Sequence, residues 1–165
     1  MPTLDIGVSD DFLRSLGRVT AYFSVLEDSI AFFLWSVLGR DQRLGQILTA
    51  ELSFRALAAL TTNVFRHRTD DPSLIGELDA IINRALAIEE RRNVAIHSRY
   101  AGGRTLTTQL RMKTTAKKSK GIGQVFDDIS ITDLEALAQD MVVLNRDLML
   151  FSGKGPADLM GREDH

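Results

Sequence analysis

Seven apolar residues, Leu16, Val19, Phe23, Leu26, Ile30, Phe33 and Val37, recur at alternating spacings of three and four. A strand brings every second residue to one face, so only a helix of about six turns gathers these side chains into a single stripe. Ser9 is placed to cap its first amides, and Asp10 and Asp11 suit the positive end of a helix. Near residues 30–37, Phe32, Leu34 and Trp35 add a second apolar surface to the stripe. That surface calls for a partner, either another helix of the chain or the same helix of a second subunit.

The pattern continues through two more helical regions. One runs from about Leu44 to Arg68, with a break near residues 49–51; its stripe is Ile47, Leu48, Leu52, Phe54, Leu57, Ala58, Thr61, Val64 and Phe65. The next opens with Asp71 as N-cap and Pro72 at the first helical position, where a missing amide costs nothing. It carries Leu74, Ile75, Leu78, Ile81, Ile82 and Ala85 and stops before Gly102 and Gly103.

From residue 104 to about 131 the period changes to two. Leu106, Thr108, Leu110 and Met112 face one way, and Thr105, Thr107, Gln109, Arg111 and Lys113 the other. A β-hairpin with its tip at TAKKSKG and its return strand at GQVFDDISI is expected. Thr132 and Glu135 have the spacing of a capping box for a last helix, striped by Leu134, Leu137, Met141, Leu144, Leu148 and Phe151. The expected fold is mainly α: an antiparallel four-helix bundle with a β-hairpin between the third and fourth helices. It forms a single domain over residues 1–152, followed by a flexible C-terminal tail at 153–165.

Composition narrows the function classes. At 165 residues and 44% hydrophobic, the chain can bury one sizeable core. It has no cysteine, so disulfides and thiolate metal sites are excluded, and a cytoplasmic location is expected. The N-terminal residues do not read as a signal peptide, and the longest apolar run, IAFFLWSVLG, is too short to span a bilayer. His67 and His165 have no partners at metal-ligand spacing; neither a metal nor another cofactor is expected.

The net charge of −2 hides an asymmetry. Residues 99–120 hold seven basic residues, Arg99, Arg104, Arg111, Lys113, Lys117, Lys118 and Lys120, and no acidic one, which leaves the rest of the chain at −9. Such an arm suits RNA phosphates; lysines along a hairpin edge also block strand-to-strand aggregation. Just before it lies ALAIEERRNVAIHSRY, residues 85–100, in which Glu89, Asn93 and His97 recur every four residues beside Arg92. Arginine supplies a permanent planar cation for a phosphate, and histidine exchanges a proton near neutral pH, a pair suited to phosphoryl chemistry. The structural alternatives are solvated ion pairs among Glu89, Glu90, Arg91 and Arg92, and His97 as a helix C-cap.

The string RNVAIH, late in a long helix, resembles the signature of the HEPN superfamily: Arg, often a polar residue directly after it, and His after four to six residues. Arg92, Asn93 and His97 carry the match. The resemblance implies an all-α homodimer whose Arg and His pairs face each other in a shared cleft. It also implies metal-independent endoribonuclease activity leaving a 2′,3′-cyclic phosphate, as in toxin–antitoxin or phage-defence systems, with a neutralising protein partner in the first case. Arg92, His97 and Asn93 would be catalytic, with Glu27 and Glu89 in support. The alternative is a non-catalytic HEPN-like homodimer that binds a nucleotide or a protein.

Overall fold

The computed structural model describes residues 7–39, 42–105, 107–117 and 121–154. Those residues form five helices, α1 (Asp10–Val37), α2 (Gln42–Thr49), α3 (Phe54–Arg68), α4 (Pro72–Ile96) and α5 (Ile131–Ser152). Between α4 and α5 run three strands, β1 (Arg99–Thr105), β2 (Thr108–Lys117) and β3 (Gly121–Ser130). No helix among the described residues is long and apolar enough to cross a membrane. The chain divides into two compact units, one of Met1–Tyr22 with Glu90–Gln139, the other of Phe23–Glu89 with Asp140–His165.

The second unit is helical. Phe23, Leu26, Ile30, Phe33 and Leu34 of α1 are buried there with Leu57 and Phe65 of α3, Leu78, Ile81 and Ala85 of α4, and Met141, Leu144, Leu148 and Phe151 of α5. Phe33, Phe65 and Phe151 form a ring of aromatic contacts with centroids 5.6–5.8 Å apart. Arg84 bonds Asp147 at 2.8 Å, tying α4 to α5.

The break expected near residues 49–51 is present, between α2 and α3, but the stripe drawn through it requires correction. Ser53 accepts a hydrogen bond from the Ala56 amide at 3.3 Å and starts α3 afresh, taking an N–H that a continuous helix would direct to a backbone carbonyl. The chain therefore turns between α2 and α3, and Ile47 and Leu48 lie exposed instead of joining the core. The N-caps expected for α1 and α4 are present: Ser9 accepts from Phe12, and Asp71 from Ser73 and Leu74.

The first unit joins the start of α1, the end of α4, the sheet and the start of α5. The sheet is an antiparallel meander ordered β1, β2, β3, not a lone hairpin. Residues 99–101, expected at the end of the third helix, belong to β1, because α4 stops at Ile96. Its pairing with β2 becomes irregular between Ala101 and Thr105, where Gly102 and Gly103 lie. β2 pairs with β3 without a break from Thr108 opposite Ser130 to Lys117 opposite Gly121.

Of the two alternating sets of residues, the one with Gln109 and Arg111 turns inward. Tyr100, Arg111 and Asp127 are directly opposed across the three strands, and Gln109 lies two residues from Arg111 on the same face. Tyr100 packs edge-on against Phe12 with centroids 5.0 Å apart, and Gln109 is only 2% exposed, so this is the covered face. Alternation revealed the period but not which of two mixed faces turns inward.

The last helix also starts earlier than expected. Ser130 and Asp133, not Thr132 and Glu135, form the reciprocal cap: the Ser130 amide donates to the Asp133 carboxylate at 2.9 Å, and the Asp133 amide to Ser130 Oγ at 3.0 Å. Thr132 already lies inside α5, and Glu135 pairs with Arg18 at 3.6 Å.

Candidate functional site

The end of α4 in the first unit carries the expected motif. Arg92 is half-buried, and its Nη1 donates to Asn93 Oδ1 at 2.9 Å, so the neighbouring amide orients the guanidinium. His97 follows the helix. Its backbone amide bonds the Asn93 carbonyl at 3.2 Å, which sets it one turn beyond Asn93.

Three consecutive carbonyls at this helix end are occupied. His97 N takes Asn93 O, Ser98 Oγ donates to Val94 O at 2.5 Å, and Tyr100 Oη donates to Ala95 O at 2.5 Å. Ser98 and Tyr100 therefore do the side-chain capping that the structural alternative assigned to His97. The imidazole is exposed and has no hydrogen-bond or ion-pair partner among the described residues. Burial raises the Tyr100 hydroxyl above its ordinary pKa, opposed by the nearby Arg111 charge and reinforced by Asp127, so the phenol stays a donor.

The supporting carboxylates belong to the second unit. Glu89 is buried, and its Oε2 lies 2.9 Å from Arg55 Nε of α3. Glu27 is half-buried on α1.

The basic arm is only partly described. Arg99 is exposed and Lys113 half-buried. Arg111 makes a bidentate ion pair with Asp127, through Nε to Oδ1 at 2.6 Å and through Nη2 to Oδ2. Its charge is therefore largely answered within the sheet. Arg104 and Lys117 are described as strand backbone only, and Lys118 and Lys120 lie outside the described residues. The face opposite Tyr100 carries a row that the sequence reading did not single out: Arg99, Met112 and Phe126 oppose one another across the strands, with Phe126 58% exposed. Alternation along β3 held the signal, since Phe126 and Asp128 share one side.

A second feature lies wholly in the second unit. Between α3 and α4 runs an open groove of about 350 Å³, lined by Arg55, Ala58, Ala59, Thr62, Asn63 and Arg66 of α3 and by Asp79, Ile82, Asn83 and Leu86 of α4. Arg66 bonds Asp79 at 2.6 Å, so each guanidinium is held by one carboxylate. The signal in the sequence was the spacing of Arg55, Ala59, Thr62 and Arg66, a small and polar stripe on one side of α3. Among the described residues, no cluster of three or more metal-ligating side chains is present.

Comparison with known proteins gives no match to a family model, a curated protein or a solved structure.

Proposed function

We propose that this chain is a metal-independent endoribonuclease of the HEPN type, acting as a cytoplasmic homodimer on RNA. The observation that carries the reading is the end of α4: an exposed His97, without a side-chain partner among the described residues, one turn beyond an Asn93 that orients Arg92. In this reading α1, α3, α4 and α5 are the helices of an antiparallel bundle, and Arg99 and Phe126 offer a phosphate and a base their first contacts.

The chemistry needs few parts. One imidazole takes the proton of the ribose 2′-hydroxyl while that oxygen bonds to phosphorus. The bond from phosphorus to the 5′-oxygen breaks, and a second imidazole, the other copy of His97, protonates the leaving oxygen. Arg92 holds the non-bridging oxygens as charge gathers on them, and Asn93 keeps the guanidinium in line. The products are a 2′,3′-cyclic phosphate and a 5′-hydroxyl; DNA, lacking the nucleophile, is inert.

A non-catalytic binding homodimer is the second reading, favoured by the α3 and α4 groove, whose guanidiniums and carboxamides suit a small anionic ligand such as a nucleotide. One experiment separates the two: mixed-sequence RNA with EDTA, comparing wild type with His97→Ala and Arg92→Ala. Cyclic-phosphate ends formed by wild type and lost in both variants, with folding retained, support the ribonuclease. Equal inertness of all three on several RNAs overturns it and moves attention to nucleotide binding at the groove.

A further inference from the structure

The short helix α2 has its apolar side turned outward. Leu44, Ile47 and Leu48 share one face at spacings of three and one, and they are 46%, 70% and 45% exposed. The helix is seated by its other side. Gly45 is buried against Trp35, whose ring an added Cβ would strike, and Trp35 Nε1 donates to Thr49 Oγ1 at 3.2 Å. Trp35 also meets Phe32 edge-on at 4.8 Å, and Phe32 is 54% exposed. Trp35 thus connects two outward apolar groups, one on α1 and one on α2, within the same unit.

We infer that this surface is a two-fold interface between copies of the chain. A surface helix ordinarily turns its apolar side to its own core; here that side is left to water, which opposes the hydrophobic effect unless something covers it. Large apolar side chains present on the order of 150–200 Å² each when fully exposed. At the observed exposures the four residues leave roughly 400 Å² per subunit, within the size of a functional patch. Doubled by a two-fold axis it gives roughly 800 Å², the size of a small, reversible contact between subunits.

Charge selects the partner. Arg43 is the only charged residue in α2, so the contact line is apolar and uncharged. Such a face meets its own copy without opposing like charges, as an isologous contact demands. The inference shares with the ribonuclease reading only the expectation of a dimer; its observations lie on α1 and α2 and involve neither Arg92 nor His97.

The test is the oligomeric state of the full chain by light scattering and sedimentation across the micromolar range, for wild type and Ile47→Glu. Because Ile47 is largely solvent-exposed, the glutamate leaves the fold intact, and circular dichroism checks this. Loss of the dimer at every concentration where wild type forms it supports the interface. A wild type that stays monomeric, or a variant that still dimerises, overturns it. A second measurement uses the absence of native cysteine. Ile47→Cys under mild oxidation gives a covalent dimer and Ser73→Cys does not; equal yields from both overturn the inference. Absence of RNA cleavage alongside a dimer lost in Ile47→Glu would sink the ribonuclease reading and leave this one standing.

Discussion

Two glycines in helices call for opposite outcomes on substitution. At Gly45 a methyl group runs into the Trp35 ring close to its attachment, where the side chain has little freedom to yield. Gly45→Ala is expected to destabilise the protein by about 1–3 kcal/mol despite the better helix propensity of alanine. At Gly17 nothing lies within 4 Å of an added Cβ, and Gly17→Ala should stabilise by about 0.5–1 kcal/mol. Urea denaturation of the two variants checks the contrast. The cap of α5 has a pH signature. Hydrogen bonds from Ser130 hold the Asp133 carboxyl below the usual carboxylate range, helped by the charge of Arg91. Unfolded Asp133 binds its proton at the ordinary value near 4, so the stabilisation is present above about pH 4 and fades as pH falls below it. Asp133→Ala should cost about 0.5–2 kcal/mol at neutral pH, and its deficit should shrink toward the acid limb of a denaturation series.

The join between α4 and β1 rests on one phenol. Tyr100 reaches back to the Ala95 carbonyl while its ring packs on Phe12, and the row continues through Arg111 to Asp127. Tyr100→Phe keeps the packing and leaves a carbonyl without its donor, a loss of about 1–2 kcal/mol by thermal or chemical denaturation near pH 7. The sign of its pH dependence follows from the raised pKa of the folded form. Below about pH 10 the phenol is protonated in both states and its full contribution is present; above that the unfolded chain loses the proton first and stability falls. The alkaline limb should therefore be steeper for wild type than for Tyr100→Phe. This join also shows where sequence reading stops. The N-caps at Ser9 and Asp71 were legible because a cap is a contact within four residues. The end of α4 was not, because the donor that terminates it arrives from a strand whose own pairing is set by residues near 111.

Each of the two compact units is assembled from stretches far apart in the sequence. The aromatic ring of the second unit takes Phe33 and Phe65 from one stretch and Phe151 from the other. A chain ending at Gln139 lacks Met141, Leu144, Leu148 and Phe151, all buried, and should lose its cooperative thermal transition and bind a hydrophobic dye. An intact sigmoidal melt from that fragment would contradict this. The candidate site was legible as a set of residue types, since Arg92 and Asn93 lie in the last turns of one helix and His97 directly follows it. The groove between α3 and α4 was harder to see, because each helix supplies only half of its lining. Helical periods, the caps at Ser9 and Asp71 and the dense polar end of α4 follow from the sequence, because they depend on neighbours three and four residues apart. Which sheet face turns inward, the commitment of Arg111 to Asp127 and the outward apolar side of α2 depend on chain segments meeting across long separations, and no local pattern encodes those meetings.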